Sequence, residues 1–146
     1  MDYDKVGAAD FGGALSGLGL NILVCDVLAT VALLRDVFGM EAFQPSADFA
    51  IMKYGEQVFQ LHSDAIYHSH PLPSLLPEAG PRGGGIELRL YNSDPDQAAL
   101  DAENHVHQAM ILQGPTNKPH GLRECVILCE NGYAWLPSRP LRAGES

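Results

Sequence analysis

Strict alternation of apolar and polar residues follows a run of three glycines in the second half of the chain. After this run, Ile86 and Leu88 fall on one side of an extended chain, and Glu87 and Arg89 fall on the other. This period of two predicts a strand over residues 86–91 with one packed face and one polar face. Asp94 and the proline after it then predict the start of a helix, which we place as far as residue 107.

The same order of elements occurs once before. A largely apolar strand over residues 18–25 leads to Asp26, a helix N-cap, and Gly39 ends that helix as a C-terminal glycine. Three short strands are predicted after each helix, at residues 41–44, 49–54 and 57–62, and at 109–113, 125–129 and 133–136. Asp26 and Asp94 are 68 positions apart, so the pattern predicts two βαβββ modules that share one architecture.

The predicted fold is α+β, with paired βαβββ modules. We place an N-terminal arm at residues 1–16, without periodicity and therefore mobile or loosely docked. The first module covers residues 17–63, a proline- and glycine-rich linker 64–84, the second module 85–141 and a tail 142–146. One short helical turn is predicted within the linker, at residues 74–76.

Composition excludes several classes of partner. The chain of 146 residues has nine scattered Lys and Arg residues and a net charge of −9, so a nucleic-acid partner is not expected. No apolar run approaches the ~20 residues of a membrane span, and the first residues do not resemble a signal peptide. Three cysteines in apolar segments predict buried thiols rather than a disulfide framework. We therefore predict a cytoplasmic protein.

Paired βαβββ modules resemble the vicinal-oxygen-chelate superfamily, which contains glyoxalase I, extradiol dioxygenases, and fosfomycin- and bleomycin-resistance proteins. The segments that carry the resemblance are residues 24–26, 36–40, 93–96, 118–124 and 130–133. The resemblance implies a curved mixed sheet with helices on its convex side and a small-molecule trough between the modules. It also implies an isologous homodimer.

Members of this superfamily that use a metal place one ligand on the first strand and one on the last strand of each module. Carried over by position, these sites fall on Gly19, Gln60, Glu87 and Leu136. Glycine and leucine offer no ligand, and an amide is a poor ligand for a transition metal. We therefore expect no divalent metal and no other cofactor, and the metal-dependent isomerisation and dioxygenation of the family are placed in doubt.

Polar side chains predicted to face the trough are the candidate ligand contacts. They are Asn21, Tyr54, Gln60, His62, Glu87, Arg89, His120 and Arg123. Glu87 is the candidate catalytic base as well as a candidate partner for a cationic ligand, and Arg89 suits an anionic group. The segment Arg123-Glu124 is equally compatible with a surface ion pair.

Two His-x-His pairs, His68 with His70 and His105 with His107, raise the question of a relocated metal site. One pair lies in the predicted linker, and the other near the end of a helix, where residues i and i+2 point apart. We therefore predict solvated surface histidines at these positions.

Three functional hypotheses follow from the sequence. The first is a protein that binds a small molecule without the usual divalent metal. The second is a metal-dependent or acid–base lyase, isomerase or dioxygenase that uses Glu87 with His62 or His120. The third is a dimerisation module with a collapsed pocket.

Overall fold

The computed structural model describes residues 1–67, 69–77, 80–107 and 109–146. The chain forms two compact units, each with a four-stranded sheet. Unit 1 contains Met1–Val31 and Met40–Leu76, and unit 2 contains Ala32–Gly39 and Pro77–Ser146. No helix within the described residues is both long enough and apolar enough to cross a membrane.

Unit 1 has the predicted order of strand, helix and three strands, preceded by a short additional helix. Its elements are α1 (Ala8–Ala14), β1 (Asn21–Val24), α2 (Val27–Phe38), β2 (Glu41–Phe43), β3 (Phe49–Tyr54) and β4 (Gln57–Ser63). The sheet order is β1-β4-β3-β2, with β1 parallel to β4 and the other neighbours antiparallel. The second half of α2 groups with unit 2.

The predicted ends of α2 are confirmed. Asp26 Oδ1 accepts a hydrogen bond from Ala29 N at 2.9 Å, and Gly39 takes a φ of +69°, which glycine adopts without steric penalty. The predicted strand over residues 18–25 is too long, because β1 begins only at Asn21; Ile22 and Val24 are buried on the predicted packed face. Leu18, assigned to the packed face, is 97% exposed.

The arm predicted to be mobile or loosely docked is held by specific contacts. It contains α1, whose Phe11 is buried, and the Tyr3 ring lies 6.1 Å from the Phe11 ring and 5.3 Å from the Phe43 ring. Gln44 Nε2 donates to the carbonyl oxygens of Tyr3, at 2.7 Å, and of Val6, at 2.9 Å. The arm therefore packs against the residues at the end of β2.

Unit 2 repeats the architecture of unit 1. Its elements are β5 (Glu87–Leu90), α3 (Pro95–Glu103), β6 (Met110–Asn117), β7 (Leu122–Leu128) and β8 (Ala134–Pro140). The order β5-β8-β7-β6, with β5 parallel to β8, matches unit 1 strand for strand. Both the predicted α+β class and the repeat are therefore confirmed, and the Asn131-Gly132 hairpin turn closes with Gly132 N donating to Cys129 O at 2.8 Å.

Some boundaries differ from the predictions. Helix α3 ends at Glu103 rather than at residue 107, because Asn104 Nδ2 donates to Leu100 O at 2.9 Å and ends the helical ladder. His105 and His107 therefore lie beyond the helix. The predicted linker contains two 3-10 helices, Asp64–Tyr67 and Leu72–Leu75, where one turn was expected at residues 74–76.

Candidate functional site

The polar face of the sheet in unit 1 carries three of the predicted ligand contacts. In the parallel pair of β1 and β4, Asn21 stands opposite Gln60, and Leu23 opposite His62. Directly paired residues project to the same side of a sheet, and alternate residues of a strand share a face. Asn21, Gln60 and His62 therefore share one face, as predicted.

Aromatic rings and amides surround His62. Its Nε2 donates to Gln60 Oε1 at 3.0 Å, and its ring lies 5.2 Å from the Phe49 ring and 5.1 Å from the Tyr67 ring. Asn21 Nδ2 donates to Tyr67 Oη at 3.1 Å. Burial lowers the pKa of His62, so the imidazole is neutral at neutral pH. Its Nδ1 is buried without a hydrogen-bond partner among the described residues.

Tyr54 lies on the other side of this sheet, which corrects its predicted orientation. Ile51 pairs with Gln60, whereas Tyr54 pairs with Gln57. The strand period of two therefore places Tyr54 on the face opposite Gln60. Every position of β3 except Lys53 is apolar or aromatic, so the sequence of β3 did not show which side of the strand faces outward.

A cavity of about 640 Å³ opens in unit 1, beside Gln60. It is enclosed by the N-terminal arm, by the segment 14–20 that leads into β1, and by the first residues of β4. Gly19 and Gln60, two of the positions matched to metal ligands in the resembled family, both line it. The cavity lies within unit 1, and the trough between the modules that the resemblance implies stays a prediction.

The lining of this cavity is mostly apolar. Three aromatic side chains contribute, Tyr3, Phe11 and Phe59, together with several leucines from the segment 14–20. Glu56 is the one charged side chain among the described residues that line it. A site of this kind binds apolar surface and orients it through a few polar groups.

The polar face in unit 2 is charged instead. Glu87 pairs with Ala134, Arg89 with Leu136, and Glu124 of β7 with Ser138. The guanidinium of Arg89 forms an ion pair with Glu124, and its Nη1 donates to Glu87 Oε1 at 3.2 Å. The Glu124 side chain is 6% exposed, whereas that of Glu87 is 61% exposed. Arg89 thus joins a buried carboxylate to an exposed one.

Glu124 is the residue of this cluster that the sequence analysis missed. His120, in the turn before β7, places its Nε2 3.3 Å from Glu124 Oε2, so two of the predicted ligand contacts, His120 and Arg89, meet at this carboxylate. A carboxylate is rarely so buried without a cationic partner. The sequence signal for Glu124 was the pair of apolar residues at alternate positions, Leu122 and Val126, but the adjacent Arg123 was an equally good candidate for the polar face.

Arg123 projects to the opposite face, which corrects its predicted role as a ligand contact. Its Nε and Nη2 donate to the two carboxylate oxygens of Asp96 on α3, at 2.8 and 2.7 Å, and its Nη1 donates to Asn117 Oδ1 at 2.9 Å. Hydrogen bonds from Arg123 lower the pKa of Asp96 despite partial burial. Arg123 therefore fastens α3 to the sheet of unit 2.

The donor set does not fit the metal centre of the resembled family. Of the four matched positions, only Glu87 carries a ligating carboxylate, and Arg89 already binds it. Over residues 1–67, 69–77, 80–107 and 109–146, no group of three or more His, Cys, Asp or Glu side chains is placed to hold a metal ion.

The two His-x-His pairs have different outcomes. His105 Nε2 donates to Asp36 Oδ2 at 2.9 Å, and its side chain is 8% exposed, so the prediction of a solvated histidine is wrong for His105. His107 N donates to His105 Nδ1 at 3.2 Å. In the other pair His70 is exposed, as predicted, and His68 lies outside the described residues.

Solved structures of similar fold come from several bacteria. A glyoxalase/bleomycin resistance protein/dioxygenase family enzyme from Burkholderia phytofirmans PsJN has a TM-score of 0.69 at 17% identity, over 84% of this chain and 96% of that one. A glyoxalase/bleomycin resistance protein/dioxygenase from Nocardioides has a TM-score of 0.62 at 16% identity, over 92% and 93%. A glyoxalase-related enzyme from Fulvimarina pelagi has a TM-score of 0.62 at 12% identity, over 90% and 96%.

The chain therefore has the fold of the glyoxalase/bleomycin resistance protein/dioxygenase proteins, and the predicted resemblance to the vicinal-oxygen-chelate superfamily is confirmed at the level of fold. No protein-family model matches the sequence, and no curated protein sequence matches it. At these identities the likeness defines the architecture, and activity has to be argued from the side chains.

Proposed function

We propose that this protein binds a small molecule in the cavity of unit 1 and does so without a divalent metal. The cavity itself carries the proposal, because its volume of about 640 Å³ lies within the roughly 300–1,000 Å³ of small-molecule sites. Gln60 lines it and accepts a hydrogen bond from His62, so the cavity adjoins the neutral cluster around His62. A lining that combines aromatic rings with amides supplies both contact area and orientation.

Exposed leucines at this cavity support the same proposal. Leu15, Leu18 and Leu20 line it and are 41%, 97% and 45% exposed. Covering apolar surface is worth about 25 cal/mol per Å², and contiguous exposed apolar surface marks binding sites on soluble proteins. A ligand seated against these side chains removes them from water.

Metal-free binding is supported by the chemistry of the matched positions. Gly19 and Gln60 line the cavity where metal-using relatives would supply ligands, and neither offers a ligand that a transition metal prefers. A glycine leaves space instead, since a Cβ built at Gly19 meets no atom within 4 Å. The space can be filled by part of the bound molecule.

A screen by thermal shift tests the proposal, using antibiotics, thiol adducts and small aromatic compounds. A ligand at 100 times its Kd stabilises the folded state by about 2.7 kcal/mol, which raises the melting temperature by several degrees. We expect the wild type to respond and the Gly19→Phe variant to lose the response, because the new ring fills the cavity.

Gly84→Phe is the matched control for Gly19→Phe. Gly84 is also exposed, a Cβ built there meets nothing within 4 Å, and it lies outside the cavity. This variant should respond like the wild type. A ligand that stabilises Gly19→Phe as strongly as Gly84→Phe would show that the cavity is not the binding site.

The charged cluster of unit 2 favours acid–base catalysis as a second candidate function. Glu87 is exposed and lies beside Arg89, and His120 reaches Glu124, so a proton donor and a carboxylate are close together on one face. In this case Glu87→Gln would abolish turnover of a ligand found in the screen and leave its binding unchanged. Stoichiometric zinc, nickel, iron or manganese after mild purification would favour the metal-dependent form of this alternative and contradict metal-free binding.

A dimerisation module with a collapsed pocket is the third candidate, and the open cavity in unit 1 argues against it. We further propose that the protein is a homodimer, as the resemblance implies, and that it is cytoplasmic. The cytoplasmic location is supported by three cysteines that are all thiols; Cys125 and Cys129 are buried as predicted, whereas Cys25 is exposed, so the prediction of a buried thiol is wrong there. Light scattering coupled to gel filtration measures the oligomeric state, and a mass near 15.7 kDa would contradict the dimer.

A further inference from the structure

Resting on the proposed function, we infer that the N-terminal arm is part of the binding site and that the cavity takes a neutral or cationic molecule with a flat aromatic body. Phe43 pairs with Ile51, and Ile51 with Gln60, so all three share the polar face of the sheet. The contact of Tyr3 with Phe43 therefore places the arm on that face.

The arm supplies two of the three aromatic residues that line the cavity. Tyr3 and Phe11 meet edge to face, with an interplanar angle of 87°, whereas Phe59 of β4 is adjacent to Gln60 and projects to the other face of the sheet. Aromatic rings bind flat aromatic surface through stacked or edge contacts worth about 0.5–1.5 kcal/mol beyond area burial. The preference for a flat aromatic body follows from these rings.

The arm is fixed in place by a polar clamp. Gln44 Nε2 donates to two of its carbonyl oxygens, and the backbone of Gln44 adopts a φ of +50°, which is uncommon for a residue with a side chain. A residue with a side chain keeps a positive φ only when contacts with its surroundings stabilise that conformation. For Gln44 these contacts are the hydrogen bonds to the arm, so the arm has a defined position in the wall of the cavity.

Charge selects against anions. Glu56 is the charged side chain of the lining, and the arm adds Asp2, Asp4 and Asp10 against Lys5. Lys53 is the cross-strand partner of Val58 and Glu41 and does not line the cavity. None of the described residues that line the cavity is cationic, so an anion would have no partner among them, whereas a cation gains from Glu56 and from the ring faces.

Three compounds that share a naphthalene ring and carry a short cationic, neutral or anionic substituent test this inference: 1-naphthylmethylamine, 1-naphthylmethanol and 1-naphthylacetic acid. Affinities are measured by ligand-observed NMR titration with the wild type, Gly19→Phe and Gly84→Phe. We expect the amine and the alcohol to bind at least about tenfold more tightly than the acid, and Gly19→Phe to lose binding. The variant Phe11→Leu keeps an apolar side chain and should weaken all three compounds by about three- to tenfold.

The variant Glu56→Gln separates charge from shape. It should bring the amine down to the affinity of the alcohol and leave the alcohol unchanged. Equal binding of all three compounds, lost in Gly19→Phe, would overturn the inferred ligand class and leave the proposed function standing. Unchanged binding in Phe11→Leu would overturn the role of the arm. Failure of all three compounds to bind would overturn the inferred ligand class, and the cavity as the ligand site would still be decided by whether ligands from the thermal-shift screen lose binding in Gly19→Phe.

Discussion

Units 1 and 2 share a strand order and a pairing scheme, yet equivalent positions on their polar faces carry different chemistry. Asn21 and Arg89 occupy the same place, since one stands opposite Gln60 and the other opposite Leu136. The antiparallel strand pairs differ as much. In unit 1 Phe49 of β3 is paired with His62 of β4, and at the equivalent place in unit 2 Glu124 of β7 is paired with Ser138 of β8. Unit 1 thus presents neutral amides and rings, and unit 2 presents an ion-pair network.

The difference shows which parts of a repeated module are fixed by its architecture. Helix caps recur because each helix needs its first amides satisfied, and Asp26 and Asp94 meet this need in the same way. The polar face has no such requirement, so each unit can adapt it separately. Unit 1 has a cavity lined by the N-terminal arm, and unit 2 has a buried carboxylate, Glu124, paired with the guanidinium of Arg89.

The largest expected effect on stability comes from breaking the ion-pair network of unit 2, and the equivalent substitution in unit 1 is the comparison. Arg89→Met leaves Glu124 buried without its cation and should lower the free energy of unfolding by about 3 kcal/mol. Asn21→Met removes one exposed hydrogen bond at the equivalent position and should lower it by about 1 kcal/mol or less. Urea unfolding of the purified variants measures both.

The double variant Arg89→Met with Glu124→Met is the control for this prediction. Removing both charges replaces a buried ion pair by apolar side chains and should restore most of the lost stability. If Arg89→Met alone were no more destabilising than Asn21→Met, the two faces would be energetically alike.

A second prediction concerns the arm. Gln44→Gly removes two hydrogen bonds to the arm and at the same time relieves the positive φ, so the global stability should change by less than about 1 kcal/mol. Amides of the arm, such as those of Val6 and Phe11, should exchange with solvent about tenfold faster. Hydrogen-exchange mass spectrometry of the peptide covering residues 1–16 measures the change, and an unchanged rate would show that ring packing alone holds the arm.

A third prediction is that the stability of unit 1, through His62, depends on pH where the equivalent position of unit 2 does not. Burial lowers the pKa of His62 in the folded state, so protonation below its unfolded value of about 6.5 favours the unfolded chain. Stability therefore declines as the pH falls below about 6.5. The equivalent residue, Ser138, does not titrate in this range, so His62→Gln should remove this part of the slope, as measured by melting temperature at several pH values.

The smallest expected effect concerns the chain end in unit 2. Glu145 accepts hydrogen bonds from Arg139 at 2.8 and 2.9 Å, and these lower the pKa of Glu145 to about 2. The contribution of this contact is present above about 4.5 and is lost as the pH falls towards 2. The amide shift of Arg142, which donates to Glu145, should therefore titrate near pH 2 in NMR spectra. Arg139→Gln should return that midpoint towards 4.5.

Sequence was sufficient for features that depend on local chemistry. Asp26, Gly39 and the Asn131-Gly132 turn each satisfy a requirement of their own few residues, and the structure confirms all three. The repeat was visible because both modules use these signals at a constant spacing. Helix α3 was placed correctly at its start, but its end depended on a side-chain bond from Asn104 that competes with the helix.

Strand orientation could not be settled from the sequence where neighbouring residues were equally suited to either face. Arg123 and Glu124 are adjacent and both charged, so one of them had to project towards α3, and only the pairing with β8 decides which. Tyr54 presented the same ambiguity in an apolar strand. The docked arm was not foreseen either, because Gln44 lies 38 positions from Val6 and 41 from Tyr3.

The Gln44 clamp also bears on the order in which the protein assembles. Helix α1 has seven residues, too few to be stable alone in water, and its anchoring groups lie about forty positions further along the chain. Closing so long a loop carries an entropic cost that is repaid only after β2 has joined its sheet. We therefore expect residues 1–16 to reach their native positions only after the sheet of unit 1 has formed.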